Sequence, residues 1–149
     1  MIQKIIANDY LILALRLLLG LTFVVASVDK IAEPGMFAKA IENYKLISGP
    51  VAMLVATLLP WIELLSGLGM LSGIYRQGSA FVLFTLLAVF TVAVITGVIR
   101  GLDISCGCFT LDPEVNRIGL WKILENIGLM VASIVVFFSQ GRQFVMRIE

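Results

Sequence analysis

Four stretches of this chain stay apolar for about the ~20 residues that a helix needs to cross a bilayer core ~30 Å thick. They run over 10–28, 48–74, 79–99 and 118–138. The first holds one charge, Arg16, the second only Glu63 and the third none, while the fourth carries Lys122 and Glu125 in its first two turns. Each ends on polar or glycine punctuation: Asp29-Lys30, Arg76-Gln77-Gly78, Arg100-Gly101 and Gln140-Gly141-Arg142. A soluble bundle is the competing explanation, and composition disfavours it. Only 14% of the residues are charged, against about 25% in a soluble domain. A chain of 149 residues leaves too much surface outside to hide the excess in a core. The expected fold is all-α: a four-helix transmembrane bundle forming one integral membrane domain over 1–149. The first stretch follows Lys4 and has small residues near Ala26-Ser27, as a cleaved leader does. Its length, Arg16 and the start at Met1 favour a retained helix.

Between the first and second spans, Glu33 to Leu46 places Met36, Phe37, Ala40, Ile41 and Tyr44 at helical spacing among Lys39, Glu42 and Lys45. That pattern predicts a short helix lying in the interface, positioned to roof the other loop on its side. Pro60 is expected to bend the second span, because it removes one intrahelical hydrogen bond. Gly69 with Gly73, and Gly97 with Gly101, have the spacing that lets helix backbones approach in lipid. An even number of spans puts both termini on one side. Cation counting places Lys4, Arg76, Arg142 and Arg147 there, against Lys30, Lys39, Lys45, Arg100, Arg117 and Lys122 on the loop side. The positive-inside rule therefore leans toward a cytoplasmic loop side, and the redox chemistry argued next leans the other way. We follow the chemistry and expect cytoplasmic termini.

The sequence has no histidine and a net charge of +1. The first fact removes the usual zinc ligand and general base, and the second leaves no basic field for nucleic acid. What chemistry remains is concentrated in Cys106 and Cys108, the only thiols, within Gly101-Leu-Asp-Ile-Ser-Cys-Gly-Cys-Phe109. Gly107 gives the chain freedom to turn so that the two sulfurs meet. A ring that small restrains little unfolded-chain entropy, so a disulfide here belongs to the labile, exchanging kind. Buried inert cysteines are the plain alternative. A cuprous ion on both thiolates, aided by Met36 or Met53, is a second; no resident metal site is expected otherwise. One pair carries two electrons and no second pair exists to receive them. The pair therefore exchanges with partners on its own side, or a membrane quinone discharges it.

Charges inside the spans cost roughly 3 kcal/mol each on insertion scales. Counting ~1.5 Å per residue, Arg16 lies about 9 Å and Glu63 about 16 Å from the terminal face, which predicts an Arg16–Glu63 ion pair. Alternatively Glu63 serves a small proton-coupled transporter. Asp29, Lys30, Arg100, Asp103, Arg117 and Lys122 surround the cysteine loop, where a nearby cation would favour thiolate and Asp103 would oppose it. Trp121 reads as a belt aromatic and Asn126 as interhelical hydrogen-bonding glue.

Arg16-Leu-Leu-Leu-Gly20, Asp29-Lys30, Pro60-Trp61-Ile62-Glu63, the cysteine segment and Trp121 with Asn126 together resemble the DoxX/MauE family over about residues 10–138. The cysteine segment points to the MauE (methylamine utilisation) branch. Thr110 departs from the glycine that often follows the Cys-Gly-Cys-Phe segment in that family. The resemblance implies a multi-pass protein of the bacterial inner membrane, embedded in lipid, with its cysteines outside the cytoplasm. It also implies thiol–disulfide chemistry with a thioredoxin-fold partner on the cysteine side. The expected site is Cys106 and Cys108, supported by Arg16, Asp29, Lys30, Glu63, Asp103, Trp121 and Asn126. Its function is that of a redox relay or oxidoreductase, with a copper(I)-handling or scaffold protein as the alternative.

Overall fold

The computed structural model describes residues 4, 8–104, 106 and 118–139. Five helices follow in order: α1 (Asp9–Ala32), α2 (Pro34–Asn43), α3 (Pro50–Ser72), α4 (Arg76–Ile99) and α5 (Leu120–Phe138). All but α2 are long and apolar enough to cross a membrane. The four expected spans and the short helix between the first two are therefore present.

Helix boundaries follow from local chemistry. Asn8 caps α1, its side-chain oxygen accepting from Leu11 N–H. Pro34 and Pro50 stand at the first positions of α2 and α3, where a missing N–H costs nothing and the fixed φ suits a helix. Gly73 closes α3 in the left-handed region, at φ 75°, a conformation costing a residue with a Cβ roughly 1–2 kcal/mol. Gly101 closes α4 at φ 66°, with Leu102 N–H bonding Gly97 O and Gly101 N–H bonding Val98 O, both at 3.0 Å. Those two bonds form a Schellman motif. Helix α3 runs through Pro60 without interruption.

Helix α1 packs chiefly on α3, and α4 on α5, while α2 lies against α3. Leu19 and Phe23 of α1, Met70 of α3, Leu83 and Leu87 of α4, and Leu129 and Val136 of α5 form one buried core. The outward residues remain apolar: Leu18, Leu21, Val25, Leu65, Phe81, Val89, Val92 and Leu124 are all exposed, as a lipid-facing surface requires. The close approach of helix backbones differs from the expectation. A Cβ on Gly67 would lie 3.1 Å from the Gly20 carbonyl oxygen, so Gly20 and Gly67 bring α1 and α3 together. Gly69 instead faces Ser79 of α4, whereas Gly73 and Gly101 end helices.

Candidate functional site

At one end of the bundle, opposite the Arg76 end of α4, α2 covers the start of the cysteine segment. Phe37, Ala38 and Ala40 bury against Ala56 of α3, so α2 presents the apolar face that its sequence spacing gives it. Its last turn delivers Tyr44. The Tyr44 hydroxyl donates to the Cys106 carbonyl at 3.0 Å, and the Arg100 guanidinium donates to the Tyr44 carbonyl at 3.1 Å. Ile118 N–H bonds Ile104 O at 3.0 Å, which brings the residues before and after the loop side by side. Tyr44, Val94 and Cys106 bury one another. Burial pushes the Tyr44 hydroxyl well above the ordinary tyrosine value, so it stays a neutral donor.

Cys106 is disulfide-bonded and only 2% exposed. Cys108, Gly107 and Arg117 lie outside the described residues. The Cys106 side of the disulfide is thus shielded from bulk water. It lines an apolar cavity of about 220 Å³ between α2, α3 and α4, whose walls include Phe37, Tyr44, Leu59, Val89 and Phe90. Met36 and Met53, named above as thioether helpers, are exposed and are not part of that wall.

Beside the cavity sits a buried ion pair that differs from the expected one. Lys30 Nζ donates to both carboxylate oxygens of Glu63 at 2.9 Å, with both side chains at 0% exposure. The Arg16–Glu63 pair does not form. Arg16 instead donates to Met70 O at 3.2 Å and Leu71 O at 3.3 Å, satisfying carbonyls that the last turn of α3 leaves open. The reason lies in side-chain direction. Helical side chains lean toward their own N-terminus, and α1 and α3 are antiparallel. Lys30, near the end of α1, therefore leans inward to meet Glu63, which leans outward toward it. Arg16 and Glu63 lean away from each other, so depth alone mispaired them. The Lys30 ammonium also lies 5.1 Å from the Phe37 ring centre and 5.3 Å from that of Phe90, within cation–π range.

The other expected residues scatter. Asp29, Asp103 and Trp121 are exposed, Trp121 at the start of α5 as an interfacial aromatic would be. Lys122 pairs with Glu125 at 2.9 Å on the surface of α5. Asn126 is fully buried, and neither amide atom has a hydrogen-bond partner among the described residues. The site therefore gathers Cys106, Lys30 and Glu63 from the expected set and adds Tyr44, Phe37 and Phe90. The added three were visible in the sequence only as the apolar face of α2 and one more apolar residue of α4. Aromatic residues recurring on the face that roofs the cysteines were the available signal.

A family model described as "Methylamine utilisation protein MauE" matches residues 8–139. Curated relatives described as "Methylamine utilization protein MauE" include one from Methylophilus methylotrophus, 31% identical over 80% of this chain and 64% of that protein. One from Paracoccus denitrificans is 31% identical over 83% of this chain and 66% of its own length. A third, from Methylorubrum extorquens, is 28% identical over 89% and 72%. The chain thus spans just under two thirds of the first two relatives. No solved structure matches it. Since the family match runs from the cap of α1 to the cap of α5 and takes in every span, α2 and the cysteine loop, the chain belongs to the MauE family.

Proposed function

We propose that the protein is a membrane-embedded thiol–disulfide relay in which Cys106 and Cys108 cycle between disulfide and dithiol. The observation that carries this reading is the disulfide at Cys106, held by the Tyr44 hydroxyl at the end of a bundle that has no other sulfur pair. A residue locked by a structural crosslink gains little from a ring this small, whereas a ring of that kind suits exchange. Written from the oxidised form, a partner thiolate attacks one sulfur of the pair. The intramolecular S–S bond breaks, a mixed disulfide forms, and the released sulfur leaves as thiolate and takes up a proton. A second partner thiolate then displaces the other sulfur, which leaves the partner oxidised and the pair as a dithiol.

The partner is a thioredoxin-fold protein on the cysteine side, and the cysteines face away from the cytoplasm of a bacterial inner membrane. The names of the relatives supply the context, which is methylamine utilisation. The transporter alternative is not favoured, because both Glu63 oxygens already accept from Lys30.

The test is mixed-disulfide trapping with Cys106→Ser and Cys108→Ser in intact membranes. One of the two variants accumulates a covalent adduct with a thioredoxin-fold protein that vanishes under reductant. If neither does, the relay reading fails.

A further inference from the structure

A dithiol left after exchange has to lose two electrons, and this chain holds no second pair to take them. The geometry points to the acceptor: we propose that the cavity between α2, α3 and α4 binds the ring of a membrane quinone, which reoxidises the Cys106 disulfide. This deepens the relay reading and rests on it.

The cavity's chemistry selects the ligand class. Its lining residues are aromatic and aliphatic apart from Cys106. A nicotinamide or flavin nucleotide carries phosphates that find no cation among these lining residues. An apolar cavity of about 150 Å³ accepts a benzene ring, so about 220 Å³ accommodates one substituted ring. Val89, on the wall, is 61% exposed and Leu46 53%. The mouth therefore opens outward, and Val89 lies in the middle of the spanning helix α4. An isoprenoid tail could leave through that opening into lipid. Cys106, at 2% exposure, is among the residues that line this cavity.

The step balances without another reactant. Both S–H bonds break and one S–S bond forms. The two electrons and two protons go to the quinone, making two O–H bonds of the quinol.

The test uses the full chain, reduced and reconstituted in lipid nanodiscs under anaerobic conditions, with a short-tailed ubiquinone analogue as probe. The expected result is one quinol formed per disulfide regained, followed by quinone absorbance and maleimide labelling of thiols. Val89→Trp at the mouth, or Ala93→Phe from within, slows that reaction at least tenfold; either variant that remains monodisperse serves. If the wild-type dithiol ignores quinone but is reoxidised by a thioredoxin-fold disulfide, the quinone site is overturned and the relay stands. If it reacts with neither, both readings fall. If quinone oxidises both filled variants at the wild-type rate, the cavity is not the site and the proposal is overturned.

Discussion

Removing one member of the Lys30–Glu63 pair should destabilise the protein far more than removing both. Each side chain has 0% exposure and the two contacts are 2.9 Å, so no water can replace a lost partner. A stranded charge limits its own cost by neutralising. Keeping a lysine neutral at pH 7 costs up to about 4.6 kcal/mol, from a reference value of about 10.4. Keeping a glutamic acid protonated costs up to about 3.7 kcal/mol, from about 4.3. Those ceilings agree with the ~3–5 kcal/mol measured when buried pairs are broken. In Glu63→Gln, the faces of Phe37 and Phe90 recover some of this, up to about 2 kcal/mol in total. We therefore expect a loss of about 3 kcal/mol for each single variant, Glu63→Gln and Lys30→Met. The double variant leaves no charge behind and should lose less than about 2 kcal/mol. The assay is equilibrium unfolding in mixed micelles, followed by circular dichroism as a double-mutant cycle. Losses that add to within about 0.5 kcal/mol would show two independent residues and refute the pairing.

Further outcomes follow from other contacts. Gly73→Ala meets both a left-handed backbone and the Arg16 guanidinium, so it should cost at least about 1–2 kcal/mol in the same unfolding assay. Arg16→Leu removes two charge-assisted bonds to the end of α3 and should cost about 1.5–3 kcal/mol, with no change in the response of Glu63→Gln. Tyr44→Phe should cost about 1 kcal/mol and speed reduction of the Cys106 disulfide by a small dithiol. Because burial raises the Tyr44 hydroxyl, the folded state resists ionisation that the unfolded state accepts above about pH 10. The stability gap between wild type and Tyr44→Phe should hold steady below that pH and narrow above it. Asn126→Leu removes a buried amide without a partner among the described residues and should leave stability unchanged or raise it by about 1–3 kcal/mol; a loss would mean that the amide is bonded.

The spans could be read from sequence because lipid imposes length and apolarity on every helix, whatever its partners. The boundaries at Pro34, Pro50, Gly73 and Gly101 are also local, each set by one residue's backbone, but Gly73 and Gly101 were expected as packing glycines and turn out to end helices. The charge pairing was not local. Arg16, Lys30 and Glu63 are all candidates by type, and only the lean of side chains on antiparallel helices decides among them. Gly20 and Gly67 were missed for a related reason. Each is a single glycine on its own helix, and their meeting depends on which faces α1 and α3 turn to each other. The cavity needed three elements at once, so no window along the chain could show it. Within the site, the sequence marked the sulfur, and the structure supplied its surroundings.

Those surroundings bear on why an ionic pair stands where an apolar pair would hold the helices as well. Replacing a buried pair with hydrophobic residues is often neutral or stabilising, so stability alone does not account for Lys30 and Glu63. Their placement does more: the ammonium reaches Phe37 on α2 and Phe90 on α4 while its counter-charge comes from α3. One charge thereby ties together the three helices that enclose the cavity. A Leu or Met at position 30 could fill the space but would not draw both rings and a carboxylate to one point. The pair is thus better explained by the shape of the wall beside the disulfide than by the strength of the bundle.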